Sequence, residues 1–264
     1  IVANMPAATT MMGVPTFYTR LLDDARFTKD LAQHMRLFVS GSAPLLAETH
    51  DQWRATTGHA ILERYGMTET NMNTSNPYDG ARRAGTVGFP LPGVELRIDQ
   101  SVAGGGDGIG EVQMRGDNVM LGYYRNPEET AKVMDSDGWL SSGDLGRLDE
   151  QGYLHIEGRS KELIIHGGFN VFPPEVEAAL NAHPQVVQSA VVGRRGKGDE
   201  EVLAFVQVSQ DDQPDVADLM QFVRGQLAGY KCPAQIVLTD ALPAAPTGKI
   251  LKHKLLEHFA QQLR

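Results

Sequence analysis

Two short apolar runs that each break off into small or polar residues constrain this chain most. Leu37-Phe38-Val39 runs into Ser40-Gly41-Ser42-Ala43-Pro44, and Ala60-Ile61-Leu62 runs into Glu63-Arg64-Tyr65-Gly66-Met67-Thr68-Glu69. The runs predict buried strands, and residues 47–56 between them predict a helix, so the three form a strand–helix–strand unit with parallel strands. A right-handed crossover then brings Gly41–Pro44 and Tyr65–Glu69 to one sheet edge, around the crevice in which open α/β sheets bind ligands. The second stretch is chemically rich. A ring beside a glycine can stack on a planar base, the Thr68 hydroxyl can reach a phosphate oxygen, and Glu69 can hold a hard cation such as magnesium. The same residues also fit a strand leaving the core through a glycine turn.

Upstream, Pro15 opens a helix with Phe17, Leu21 and Leu22 on one face and Arg20 on another. Past Asn71 the texture changes: Gly85, Gly88, Pro90, Pro92 and Gly93 punctuate β-prone pieces at 94–98 and 111–114, which predicts antiparallel strands forming a small barrel. Gly104 to Gly108 reads as a surface hairpin tip, because no helix follows it to cradle a phosphate. Asp144, after Gly143, fits either a ribose diol or a turn cap.

From Tyr153 the pattern becomes strand (153–158), strand (162–165), a helix opened by Pro173-Pro174, strands at 186–192 and 202–208, a helix at 216–227, a strand at 235–238 and a final helix at 251–263. The fold class is therefore α/β plus α+β. Residues 1–158 form one part (an α/β unit to about 83, a β-rich piece over about 84–158), and 159–264 form a compact α+β unit. Gly158-Arg159-Ser160-Lys161 is the expected hinge.

Among the 264 residues, 41% are hydrophobic, and the net charge of −9 offers no basic stripe for nucleic acid. Any anionic ligand must be held by local cations. Cys232 stands alone, which excludes an intramolecular disulfide and suits a reducing, cytoplasmic setting. No run spans a membrane. A start at Ile1-Val2-Ala3 without methionine suggests a piece of something longer.

The ordered set Tyr65-Gly66-Met67-Thr68-Glu69, Gly85-Thr86-Val87-Gly88-Phe89-Pro90, Ser142-Gly143-Asp144, Gly158-Arg159-Ser160-Lys161-Glu162, Gly167-Gly168-Phe169-Asn170-Val171 and Pro246-Thr247-Gly248-Lys249 resembles the adenylate-forming acyl-CoA synthetases over almost the whole chain. Glu63 to Pro77 with Asp79-Gly80-Ala81-Arg82-Arg83 is most similar to the malonyl-CoA synthetase branch. The resemblance implies the end of a large adenylation domain followed by a mobile C-terminal domain, with ATP, Mg2+, CoA and a small malonate-like acid as cofactor and partners. It implies that Gly41, Ser42, Ala43 and Pro44 sandwich adenine with Tyr65 beside Gly66, that Thr68 binds phosphate and Glu69 the metal, and that Asp144 and Arg159 hold the ribose. Lys161 falls at the hinge, Gly167, Gly168 and Phe169 along the pantetheine tunnel, and Lys249 at the catalytic lysine of adenylation. Arg20 and Arg64, with Met67 nearby, match the acid site. The family's upstream Gly- and Ser/Thr-rich phosphate loop is absent, which puts the activity of this chain alone in doubt.

The chemistry fits those residue types. A carboxylate acylates poorly until ATP activates it, and the charge of departing pyrophosphate calls for preorganised cations. The thiol of CoA would then attack the acyl adenylate after the C-terminal unit rotates about Lys161. A dicarboxylate bound by one end buries the other, which costs several kcal/mol unless a cation such as Arg64 meets it. Arg82 and Arg83 read as a solvated loop face. The alternatives are ligation of another acid, loading of a carrier protein, or a nucleotide-binding remnant without catalysis.

Overall fold

In a computed structural model of the chain, every residue is described except Ala103, Lys197, Gln210, Asp211, Pro246, Thr247, Gly248 and Arg264. The chain divides into two compact units, Ile1–Ile156 and Glu157–Arg264, the break falling just ahead of the boundary read from the sequence.

In the larger unit, β1 (Thr10–Gly13), β2 (Leu37–Ser40) and β3 (Leu62–Met67) pair in parallel, with α1 (Pro15–Leu22), the single turn α2 (Lys29–Ala32) and α3 (Ala47–Thr57) between them. Pro15 stands at the first position of α1, where its fixed φ suits the helix and its missing N–H costs nothing. Trp53 of α3 centres the core, with the rings of Tyr18, Phe27 and Phe38 at 4.9, 4.8 and 4.9 Å. The Tyr18 hydroxyl donates to the Val39 carbonyl at 2.6 Å, pinning α1 to the end of β2.

One expectation fails here. The chain does not leave the sheet at Tyr65: β3 continues to Met67 and turns back antiparallel into β4 (Asn71–Ser75), which pairs with β5 (Phe89–Pro90). The returning strand supplies the backbone partners that a loop would have lacked. The pairing shifts register at Tyr65/Gly66, and a β-carbon on Gly66 would lie 2.0 Å from the Asn71 carbonyl oxygen, so only glycine fits that approach.

The β-rich piece comprises β6 (Glu95–Asp99), β7 (Gly110–Arg115), the helix α4 (Pro127–Val133), β8 (Leu140–Leu148) and β9 (Leu154–Arg159). The expected barrel takes the form of a four-stranded sheet in the order β6-β7-β8-β9, with no β6–β9 pairing among the described residues. Arg82 and Arg83 are not a solvated face. Arg82 donates to the carbonyls of Pro77, Ala60 and Tyr78, and the Arg83 guanidinium lies 4.3 Å over the Tyr153 ring. A guanidinium's several donors suit closing a loop whose carbonyls lack partners.

In the smaller unit, β10 (Ile164–His166) and β11 (Phe169–Val171) form a hairpin, followed by α5 (Pro173–Asn181). Next come β12 (Val186–Arg195), β13 (Glu200–Val208), α6 (Val216–Arg224) and β14 (Gln235–Thr239), which make a three-stranded sheet in the order β12-β13-β14. Along β13, Val202, Ala204, Val206 and Val208 enter one apolar cluster with α5 and α6, while Leu203 and Phe205 enter another with Leu255 and Phe259. The run from 202 to 206 is thus buried on both faces. The long final helix expected at 251–263 is instead a 3-10 turn, Lys252–Lys254, and the short α7 (Leu255–His258). Leu255 and Phe259 are seated in the apolar cluster and Leu263 packs against it without a continuous helix between them. Among the described residues no helix is long and apolar enough to cross a membrane.

Candidate active site

At the C-terminal ends of β1–β3 a cleft of about 260 Å3 is lined by Met12, Gly13, Val14, Val39, Gly41, Ser42, Arg64, Gly66 and Met72. The two stretches that the sequence brought to one sheet edge therefore do meet here, through Gly41 and Ser42 on one side and Arg64 and Gly66 on the other. A β-carbon on Gly41 would come 3.2 Å from the Arg64 carbonyl oxygen. Ser42 holds φ 68°, a left-handed conformation that is strained for a serine and is found where a structure over-determines a local shape. Ala43 and Pro44 are exposed beyond it.

Arg64 is half-buried. Its guanidinium lies 3.3 Å from the Met12 thioether sulfur, and no carboxylate pairs with it among the described residues. A sulfur is a weak acceptor, so this cation keeps its charge for another group. Arg20 is exposed on the last turn of α1 and does not line the cleft, so the two arginines are not brought together around it.

Tyr65 is half-buried against Val112, Met114 and Leu154 of the β-rich sheet, and its hydroxyl donates to the Asp144 carboxylate at 2.5 Å. Asp144 lies inside β8 and is buried, so it does not cap a turn. Its backbone N–H donates to Ser142 Oγ, which in turn donates to the Val112 carbonyl. Two residues far apart in sequence thus form one phenol–carboxylate pair.

The turn after Met67 carries Thr68, exposed, and Glu69, half-buried. Three groups that sequence reasoning missed hold this turn. The Met120 N–H donates to the Glu69 carbonyl at 2.7 Å, the Asn118 amide donates to the Thr70 carbonyl at 2.9 Å, and the Tyr123 hydroxyl donates to Glu69 Oε1 at 3.0 Å. Partial burial and the Glu69 carboxylate both push the Tyr123 phenol above its ordinary value, keeping it a donor. No local signal marks Tyr123, since its partner lies 54 positions earlier. At the start of β3, His50 Nδ1 and Glu63 Oε1 sit 3.1 Å apart, both buried. Burial raises the Glu63 carboxyl, and His50 partly offsets it.

Magnesium fits this turn by donor chemistry. The ion keeps most of its waters and takes one or two carboxylates besides substrate phosphates, and the Glu69 carboxylate has a hydroxyl donor on one oxygen only among the described contacts. No group of three or more His, Cys, Asp or Glu that could hold a metal occurs among the described residues.

In the smaller unit, Arg159 ends β9, and Lys161 is exposed within the 3-10 turn Ser160–Glu162. Gly167 and Gly168, at φ 59° and 80°, form the tip of the β10–β11 hairpin. The Gly167 N–H donates to the Asp199 carboxylate, and the exposed Phe169 ring stacks on Tyr230 at 4.6 Å. Lys249 is exposed; Pro246, Thr247 and Gly248 of its motif lie outside the described residues.

The AMP-binding enzyme family matches residues 4–124, and the AMP-binding enzyme C-terminal domain matches residues 175–249. The chain belongs to this family of adenylate-forming enzymes. It is 37% identical to the mitochondrial malonate–CoA ligase of Mus musculus over 291 residues, covering 97% of this chain and 50% of that protein. It is 36% identical to a long-chain-fatty-acid–CoA ligase of Yersinia pestis over 253 residues, covering 94% and 44%. The crystal structure of ATP-bound MatB from Rhodopseudomonas palustris is 48% identical, with a TM-score of 0.91 over 100% of this chain and 53% of that one. The chain spans about half the length of these relatives.

Proposed function

We propose that this chain provides the acid-binding cleft, the nucleotide contacts and the C-terminal unit of an ATP-dependent ligase that couples malonate, or a near dicarboxylate such as methylmalonate, to CoA. The observation that carries the reading is Arg64, a half-buried cation in the cleft whose described polar contact is a thioether. Relatives named for malonate and for long-chain fatty acids stand at nearly equal identity, so the names do not choose the acid. Arg64 supports a dicarboxylate: a fatty acyl chain would leave the guanidinium unpaired, whereas a second carboxylate would meet it.

In the first step one malonate carboxylate attacks the α-phosphorus of ATP, the bond to pyrophosphate breaks, and an acyl adenylate forms. Arg64 holds the far carboxylate, so a single end reacts. Asp144 and Arg159 hold the ribose hydroxyls, Tyr65 and Gly41 to Pro44 flank the base, and Thr68 takes a phosphate oxygen. Glu69 would hold the magnesium, which supplies charge neutralisation at the phosphates when bound. Lys249 supplies the cation of this step. In the second step the CoA sulfur attacks the acyl carbonyl, the carbon–sulfur bond forms, and AMP leaves; the Gly167 to Phe169 tip serves the pantetheine arm.

The test is malonate-dependent exchange of pyrophosphate into ATP, measured on this chain and on the protein with any upstream sequence its gene encodes. Arg64→Leu is expected to lower kcat/KM for malonate about 100-fold while the KM for ATP stays within about twofold, the size expected for a buried carboxylate that loses its partner. Unchanged malonate kinetics would reject the reading in favour of another acid. Transfer to a phosphopantetheinyl carrier but not to CoA would favour carrier loading, and the absence of exchange with every acid tried would leave a binding remnant.

A further inference from the structure

Lys252 stands three residues beyond Lys249 and opens the 3-10 turn that leads into α7. Its ammonium lies 2.9 Å from Glu162 Oε2 and 2.8 Å from Glu177 Oε1, and its side chain is only 22% exposed. Glu162 closes the turn that carries Lys161. Glu177, on α5, also accepts the Val191 N–H at 2.7 Å, which fixes it to β12. Burial alone would push the Lys252 ammonium down, but the two carboxylates together raise it. The segment is already anchored for stability, because Ile250 packs against, and Leu255 and Phe259 lie within, an apolar cluster. Beyond that apolar anchor, the ion triad ties the segment to α5 and to the turn bearing Lys161.

We propose that Lys252 is a positioning residue that, clamped between Glu162 and Glu177, locks the segment presenting Lys249 to the turn bearing Lys161, so that the two move as one piece. The role of Lys249 in this proposal rests on the function proposed above. The triad itself does not. A single exposed Lys–Glu pair is worth little, but two carboxylates on one shielded ammonium fix its direction, since each takes a separate N–H donor.

Two readouts test the tie. The first is backbone amide hydrogen exchange on this chain. Glu162→Ala removes one arm and leaves Lys252 paired with Glu177; it is expected to speed exchange at least about tenfold in residues 249–254 and 160–163 while β12–β14 stay unchanged. Glu162→Gln, which keeps an acceptor oxygen, and Lys252→Arg are expected to restore most of the protection. No change, or a uniform rise across the unit, overturns the proposal. The second is malonate-dependent pyrophosphate exchange. Glu162→Ala is expected to lower it about tenfold when Lys249 is present and not at all in a Lys249→Ala background, because the effect passes through Lys249. Equal losses in both backgrounds overturn it. A wild type silent toward malonate fails the acid assignment, and the hydrogen-exchange arm then decides the tie alone.

Discussion

The two units bury different things. Among the described residues, all but one of the buried polar or charged side chains fall in the larger unit, the exception being Ser189. Ser40, Glu63 and Asn73 lie on β2–β4, Thr70 and Asn76 flank β4, His50 of α3 pairs with Glu63, and Asp144 lies on β8 of the neighbouring sheet. The smaller unit instead covers both faces of β13 with apolar side chains and keeps Lys161, Gly167, Phe169 and Lys249 on its surface. A concave site must bury polar groups around its ligands and satisfy them in place. A unit that delivers groups to chemistry needs a rigid apolar body and exposed tips.

If that division is right, stability and chemistry should separate cleanly in the smaller unit. Phe205→Ala, in the doubly covered strand, is expected to cost about 3–5 kcal/mol in urea unfolding, as for other large core truncations. Lys249→Ala should leave the unfolding midpoint unchanged while lowering adenylate formation about 100- to 1000-fold, the size expected for one preorganised charge. Thioester formation from supplied adenylate should change much less. Equal losses in both half-reactions would contradict the role given to Lys249.

In the larger unit the two properties should be entangled. Burial raises the Glu63 carboxyl above its ordinary value near 4.5. Between that value and the raised one, the folded chain keeps a proton that the unfolded chain has released, so this group's contribution to stability falls as pH rises through the window. The slope is at most about 1.4 kcal/mol per pH unit. Glu63→Gln is expected to remove that slope in denaturant titrations run across pH, and an identical pH profile in both proteins would show that the pair with His50 sets no pH dependence. The smallest effect is expected for Tyr123→Phe, which deletes one hydrogen bond at the edge of the site. A loss of about 0.5–1.5 kcal/mol would match an ordinary hydrogen bond, and a larger one would extend the buried polar cluster out to the Glu69 turn.

Much of this arrangement was legible in the residues. The parallel pair of β2 and β3 around α3, the meeting of Gly41 with Arg64 and Gly66, and the α+β order of the smaller unit follow from apolar runs of strand length and from prolines at helix starts, whereas β1 had no reading of its own. The strand at 202–208 was read from its β-prone run, and only the structure showed that 202–206 is covered on both sides. The end of β3 was misjudged because Tyr65-Gly66 looks like an exit from the sheet until a returning strand is known to pair with it. Arg82 was misjudged because its partners are backbone carbonyls, and Arg83 because its partners, the Tyr153 ring and the Asp149 carboxylate, lie far along the chain; no pattern advertises either.

The sequence by itself determined many of the strands and helices, among them β2, α3, the start of β3 and the elements from α5 to β14, because period and turn chemistry are local. It determined the order of the elements and the residue types at the sheet edge, which suffice for the family. Only the tertiary structure decided which charges are spent and which remain. It paired Tyr65 with Asp144, closed the Lys252 triad with Glu162 and Glu177, left Arg64 facing a sulfur, and kept Arg20 out of the cleft lining. Pairing of charges depends on distances across tens of residues, and those are set by packing.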